Sequence, residues 1–265
     1  MRYQKEKFIL IAGPCVIENR RHTLEIAKRL KDITAAYPVQ FVFKASFDKA
    51  NRTALSSYRG PGLTKGLEIL EEVRTKVGVS ILSDVHETRQ IDLVKDVLDV
   101  IQIPAFLSRQ TDLLLAAAQT KKIINIKKSQ MMAPGDLKYV TEKVASRGNK
   151  KIFLTERGTS FGYNNLVVDF RSLLVMKTFG YPVIFDATHS LQRPSGSSGM
   201  TGGDRQFIEQ FAFAGVACGI DGLFLEVHPR PDRALSDSTT SCPLSKVDGI
   251  LNTTFKLRKV LHEKK

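Results

Sequence analysis

The stretch Val79–Lys127, reading VSILSDVHETRQIDLVKDVLDVIQIPAFLSRQTDLLLAAAQTKKIINIK, holds three short apolar runs separated by two longer amphipathic segments. The runs Val79–Asp84, Val100–Pro104 and Ile123–Lys127 are mostly apolar and β-branched, as strands buried on both faces must be. The segments between them, Glu87–Leu98 and Gln110–Lys121, repeat their apolar residues at helical spacing. This alternation predicts parallel strands covered by helices.

The same unit recurs on both sides. Strands are expected at Phe8–Ala12 and Phe41–Ala45 before this stretch, and at Ile152–Glu156, Val183–Ala187 and Gly222–Val227 after it. The accompanying helices are expected at His22–Ala36, Leu63–Val77, Asp136–Arg147, Leu166–Phe179, Asp204–Cys218 and Ser245–Glu263. Thr64 or Asp136 can cap a helix start, and Gly78, Gly148 and Gly180 follow helix ends, where glycine accepts a positive φ at little cost. Eight units in 265 residues give the size of an ordinary strand–helix repeat, about 33 residues, and eight repeats close a (β/α)8 TIM barrel. One catalytic domain spanning residues 1–265 is expected. No GxGxxG follows the first strand, which argues against a dinucleotide fold.

Composition narrows the function. With 42% hydrophobic and 25% charged residues the balance is globular, and no apolar run approaches the roughly 18 residues of a membrane span. Met1–Lys7 is polar and runs straight into a strand, so no signal peptide is expected. The three cysteines, Cys15, Cys218 and Cys242, are too few and too irregular for a disulfide framework. A cytoplasmic enzyme without a membrane partner follows. The net charge of +13 is spread along the whole chain, which suits anionic metabolites as well as nucleic acid. A nucleic-acid-binding barrel is the non-enzymatic alternative, but 8% aromatic residues without tryptophan supply no evident stacking platform.

In this barrel type the chemistry lies at the carboxyl ends of the strands. Nearly every expected strand ends on a reactive side chain: Cys15, Lys44 with Ser46, Asp84, Gln102, Lys127, Arg157, His189 and Glu226. Closure puts the first strand beside the eighth, so Cys15, His189 and Glu226 come from consecutive staves. Thiolate, imidazole and carboxylate suit a divalent transition metal, and Asp237 in the following loop is a fourth candidate. Iron, zinc and manganese all fit such a set. The opposite arc is cationic, with Lys44, Lys49, Lys127 and Arg157 able to clamp phosphate or carboxylate. Lys128 reads as an ordinary solvated lysine, and His22, His86 and His228 as ordinary hydrogen-bonding or surface histidines. The loop FDKANRTALSSYRGPG (47–62) offers Asn51, Arg52 and Thr53 for a second phosphate, and SLQRPSGSSGMTGG (190–203) has the composition of a mobile lid.

Several longer motifs stand in order along nearly the whole chain: IAGPCVIE (11–18), FKASFDKANRT (43–53), RGPG (59–62), SDVHE (83–87), IQIPAFLSRQTDLL (101–114), ERGTSFGYNNLVVD (156–169), DATHSLQ (186–192) and ALSD (234–237). In these the chain resembles the 3-deoxy-manno-octulosonate 8-phosphate synthase family. That resemblance implies a TIM barrel that condenses phosphoenolpyruvate with arabinose 5-phosphate and water, releasing phosphate, for the lipopolysaccharide core. It implies that Lys44, Ser46, Lys49, Gln102, Lys127 and Arg157 hold phosphoenolpyruvate, while Asn51, Arg52 and Thr53 hold the sugar phosphate. It further implies that Arg109 reaches into a neighbour's site in a homotetramer.

Cys15 resembles the metal-requiring branch, with His189, Glu226 and Asp237 completing its ligands and Ser236 in keeping. Asp84, His189, Glu226 and Lys49 are the catalytic candidates, Asp84 and Glu226 for proton transfer. Ser238 departs from the glycine usual after the aspartate, and Ser129 from the usual Pro or Gly. The related 3-deoxy-arabino-heptulosonate 7-phosphate synthases, which use erythrose 4-phosphate, are the enzymatic alternative. KANRT stands here where that family has a KPRTS-type motif.

Overall fold

The computed structural model describes residues 1, 3–197 and 200–262. Among them, eight parallel strands pair in chain order: β1 (Phe8–Gly13), β2 (Val39–Lys44), β3 (Ser80–Asp84), β4 (Val100–Ile103), β5 (Ile123–Lys127), β6 (Ile152–Glu156), β7 (Val183–Asp186) and β8 (Gly222–His228). β8 returns to pair with β1, from Ile9 opposite Gly222 to Gly13 opposite Glu226, which closes the (β/α)8 barrel. The helices outside it are α1 (Arg20–Thr34), α2 (Leu63–Val77), α3 (Ile91–Val94), α4 (Thr111–Gln119), α5 (Leu137–Ala145), α6 (Arg171–Lys177), α7 (Ile208–Ala217) and α8 (Val247–His262).

Two-residue alternation along each strand separates two cores. Inward-facing Ile9, Ile11, Val42, Leu82, Val100, Ile123, Phe153, Ile184 and Phe224 fill the barrel interior. Outward-facing neighbours such as Phe8, Leu10, Phe43, Ile81, Ile101 and Phe185 pack beneath the helices. Met1 and Tyr3 pack against the interior cluster, and the Met1 ammonium pairs with Asp99 at 3.0 Å. Gly13 lets β1 lie against β2: a Cβ there would stand 2.0 Å from the Lys44 carbonyl oxygen.

Several local expectations are corrected. The helix expected over Glu87–Leu98 is only α3, four residues preceded by a 3₁₀ turn at Thr88–Gln90. The helix expected from Leu166 begins at Arg171, because Leu166–Val167 pairs with Thr159–Ser160 as a short hairpin. Thr64 lies inside α2, whose N-cap is Gly62, and Asp136 is the N-cap of α5 but makes no capping bond with its side chain. Asn19 is a true cap, its side chain accepting from the His22 amide. Gly78, Gly148 and Gly180 all have positive φ, at 71°, 69° and 77°. Glu263, expected to end α8, lies outside the described residues. No helix among the described residues is long and apolar enough to cross a membrane.

Candidate active site

The strand alternation builds the site. Two residues above most interior apolar side chains stands a polar one: Lys44 above Val42, Asp84 above Leu82, Gln102 above Val100, Asn125 and then Lys127 above Ile123, Asp186 above Ile184 and Glu226 above Phe224. They lead into a cavity of about 450 Å³ at the carboxyl ends of the strands. Lys44, Lys49, Asn51, Arg52, Thr53, Asp84, Gln102, Lys127, Arg157, His189, Glu226 and Asp237 line it. Ser46 and Cys15 are buried and do not line it, and Arg109 is exposed outside it.

The charged arcs are not separate. Lys44 Nζ donates to Glu226 Oε1 at 2.7 Å and to the Cys15 carbonyl at 2.8 Å. Lys127 pairs with Asp186 and lies over the Phe224 ring, 3.3 Å from its centroid. Burial pulls the Lys127 ammonium down to about 8, with Asp186 offsetting only part of that effect. Lys49 goes the other way: burial would lower it, but Cys15, Asp84, Glu226 and Asp237 keep it charged. Asp84 accepts from Ser46 and lies 3.1 Å from His86 Nε2. Burial would raise its pKa, but His86 and Lys49 hold it well below the usual carboxylate range.

The candidate metal ligands form a linked chain. Cys15 Sγ donates to Asp237 Oδ2 at 2.9 Å, Asp237 Oδ2 lies 3.6 Å from His189 Nε2, and His189 Nε2 lies 3.4 Å from Glu226 Oε1. Each consecutive pair falls within the roughly 3–4 Å that neighbouring ligand atoms of one ion keep, and thiol, imidazole and carboxylate suit a transition metal, but no three of these four ligand atoms lie within 4.8 Å of one another. Glu226 Oε2, buried and without a hydrogen-bond partner, also fits a cation. Asp237 has a φ of 50°, a left-handed conformation that aspartate tolerates, and its carbonyl accepts from the Thr240 and Ser241 amides. The more compact cluster lies elsewhere. Among the described residues, only Glu18, His22 and His228 have ligand atoms all within 4.8 Å of one another.

Sequence reasoning passed over three supporting residues. Asp186, fully buried, accepts from Thr188 and from the His189 amide, and lies 2.6 Å from His189 Nδ1, which aims Nε2 at Glu226 and Asp237. Burial alone would lower the His189 pKa, but Asp186 drives it up to about 10. Gln192 accepts from Arg157 at 2.5 Å and donates to Asp237 at 3.1 Å, joining the two arcs. Asn125 donates to Gln102 at 2.9 Å and accepts from Thr155 at 2.6 Å. Asp186 and Asn125 were legible from strand parity alone, because each stands two residues above an interior apolar side chain.

Three further readings change. Lys128 is fully buried, donating to Thr159 Oγ1 at 3.0 Å and pairing with Glu156 at 3.5 Å. It follows the last residue of β5 under the loop that carries Arg157. His86 and His228 are enclosed, so the hydrogen-bonding reading holds for them and the surface one does not. The segment expected to be a lid is an antiparallel hairpin, Gln192–Ser197 with Met200–Gly203; Ser198 and Gly199 lie outside the described residues. Pro194 and Ser195 of this hairpin face the cavity, and the Pro194 carbonyl accepts from Asn164 at 2.6 Å.

Two guanidinium groups on the cavity wall carry unsatisfied donors: Arg157 Nη1 and Arg52 Nη2 are buried without partners. Buried cationic donors left free are strong sites for an anion. Among known families, the DAHP synthetase I family matches residues 3–263.

The chain belongs to the DAHP synthetase I family.

Within the DAHP synthetase I family, similar relatives carry the name 2-dehydro-3-deoxyphosphooctonate aldolase. The Syntrophotalea carbinolica protein is 59% identical over 90% of this chain and 86% of its own. The Desulfatibacillum aliphaticivorans protein is 54% identical over 95% and 92%, and the Geobacter sulfurreducens protein 51% identical over 92% and 89%.

Proposed function

We propose that this chain condenses phosphoenolpyruvate with arabinose 5-phosphate and water to give 3-deoxy-manno-octulosonate 8-phosphate and phosphate. The carrying observation is the pair of unsatisfied guanidinium donors, Arg157 Nη1 and Arg52 Nη2, in one cavity. Each can take one phosphate group, as joining two phosphorylated substrates requires. The names of the relatives support the eight-carbon product over the seven-carbon one. The KANRT loop supports the same sugar, since its Asn51, Arg52 and Thr53 all line the cavity.

In this reading Lys44, Lys49, Gln102, Lys127 and Arg157, with Ser46 beneath them, hold phosphoenolpyruvate by its carboxylate and phosphate. The C2–C3 double bond of phosphoenolpyruvate opens as C3 bonds to the aldehyde carbon, whose oxygen takes up a proton, and the oxygen of water bonds to C2 and releases one. The bond between C2 and the bridging oxygen then breaks, the phosphate leaving with that oxygen, and the hydroxyl at C2 loses its remaining proton to become the ketone. Cationic side chains already held in place stabilise the negative charge that accumulates, without reorganising at the moment of reaction. Asp84, kept ionised by His86 and Lys49, can accept a proton at its carboxylate oxygens.

Cys15, His189, Glu226 and Asp237 would hold a divalent iron, zinc or manganese ion. Such an ion supplies Lewis acidity toward an aldehyde or a bound water. His189, whose pKa is driven up to about 10 in the free protein, gives up its proton when it becomes a ligand.

The same reading makes the enzyme a homotetramer with Arg109 serving a neighbouring site. In support, Arg109 is exposed beside Phe106, which is 55% exposed and also faces the cavity mouth. A cytoplasmic role in making the acidic sugar of lipopolysaccharide completes the proposal.

The deciding experiment measures phosphate release from phosphoenolpyruvate with arabinose 5-phosphate against erythrose 4-phosphate, each with and without a chelator. Release with arabinose 5-phosphate that chelation abolishes is expected. A preference for erythrose 4-phosphate overturns the sugar assignment, and chelator-resistant turnover overturns the metal.

A further inference from the structure

Outside the cavity, Glu18, His22 and His228 form a tier just behind the candidate ligands. Glu18 follows Cys15 by three residues, His228 follows Glu226 by two, and the loop of Asp237 reaches the tier through Leu235. Glu18 Oε1 accepts from the Leu235 amide at 2.9 Å and lies 3.5 Å from His228 Nε2, while Glu18 Oε2 lies 3.3 Å from His22 Nδ1. The His22 and His228 rings meet edge to face with centroids 4.7 Å apart.

The compactness of this trio invites a cation, but its hydrogen bonding argues otherwise. The Arg230 amide donates to His228 Nδ1 at 3.1 Å. With Nδ1 taken up by that amide, His228 faces Glu18 only through Nε2, 3.5 Å away and without a hydrogen bond, and Glu18 Oε1 is already held by the Leu235 amide. Lys28, Arg29, Arg230 and Arg233 line the same depression and outnumber its carboxylates Glu18, Glu25 and Asp32, which also opposes a cation.

We infer that Glu18 is a positioning residue: through the Leu235 amide it holds the loop that places Asp237 beside Cys15. This rests on Cys15, His189, Glu226 and Asp237 being the metal ligands. Asp237 has a positive φ, and before it Ser236 is buried against Cys15 Sγ at 2.8 Å while Leu235 is 51% exposed, so Leu235 is held by hydrogen bonding and not by burial. Glu18 supplies a side-chain tether from the same β1 exit that carries Cys15. Burial would raise the Glu18 pKa, but His228 and the Leu235 amide outweigh it and keep the carboxylate ionised, the stronger acceptor. Tyr58 donates to the carbonyls of Ile17 and Glu18 at 3.1 and 3.3 Å, which ties the loop of Asn51–Thr53 to the same segment.

The test titrates the metal-stripped full-length protein with Co²⁺, following the thiolate-to-cobalt charge-transfer band that Cys15 would produce. Glu18→Ala is expected to weaken Co²⁺ binding about 10–100-fold, the usual effect of losing a residue that orients a ligand. Glu18→Gln keeps a side-chain carbonyl for the Leu235 amide and is expected to retain most of the affinity. Leu235→Pro removes the donor, and Ala234 before it already has the extended conformation (φ −66°, ψ 135°) that a residue before proline takes. It is expected to match Glu18→Ala, and the double variant to lose no more than either single change.

Wild-type Co²⁺ affinity in folded Glu18→Ala or in Leu235→Pro overturns the inference, and if Glu18→Ala fails to fold, Leu235→Pro decides alone. Cys15→Ala, which lacks the thiolate for that band and is followed instead by competition with a chromogenic chelator, separates the two levels. If it binds Co²⁺ like wild type, the ligand assignment falls and the inference with it; if it loses the metal while Glu18→Ala keeps it, only the inference falls.

Discussion

Lys44 Nζ donates to Glu226 Oε1 at 2.7 Å, and both side chains are shut off from solvent. A residue expected to bind substrate anion is thus paired with one expected to bind metal. Removing one member of a buried pair strands the other, at a cost of about 3–5 kcal/mol. Lys44→Met is expected to destabilise the protein on that scale in urea titrations, and Lys44→Met with Glu226→Gln to recover part of the loss. Strict additivity of the two changes would show that the pair is not coupled.

Lys127 sets an expected alkaline limit. Its ammonium, lowered to about 8 chiefly by burial, binds anion only while protonated. Because kcat/KM reports the free enzyme, its value for phosphoenolpyruvate should be level below that pH and fall above it, by about tenfold per pH unit for a single ionisation. Between about 8 and the unfolded lysine value of about 10.4 the unfolded chain binds more protons. This group therefore opposes folding below that window and ceases to do so as pH rises through it. A kcat/KM profile level to pH 10 would contradict the assignment.

Asp186 should matter to metal as much as to fold. Asp186→Asn keeps size but removes the charge that orients His189 through Nδ1. Metal affinity is expected to fall about 10–100-fold, read by competition with a chromogenic chelator. Unchanged affinity would mean that His189 needs no such support.

Gly13→Ala tests the approach of β1 to β2. The new methyl meets the Lys44 carbonyl oxygen at 2.0 Å, and backbone cannot yield as a side chain does. A loss of about 1–3 kcal/mol in unfolding free energy is expected from such overpacking, and activity should drop with it because Cys15 and Lys44 both lie next to the contact. A variant as stable as wild type would show that the strands can part there without penalty.

Sequence alone determined the barrel, because eight apolar runs alternating with amphipathic segments leave few other ways to bury both faces of every strand. It also determined which polar side chains reach the cavity: a residue two above an interior apolar one must point the same way, so Lys44, Asp84, Gln102, Lys127 and Glu226 were legible. Local signals failed where tertiary contacts outweighed them, as in the short α3 and the hairpin that takes Leu166 from a helix. Only the tertiary structure decided who pairs with whom. Lys44 with Glu226, Asp186 behind His189, Gln192 between Arg157 and Asp237, and Glu18 under Leu235 join residues far apart in the chain or on different elements. Those pairings follow from barrel closure and loop packing, and the alternation of residue types carries no record of them.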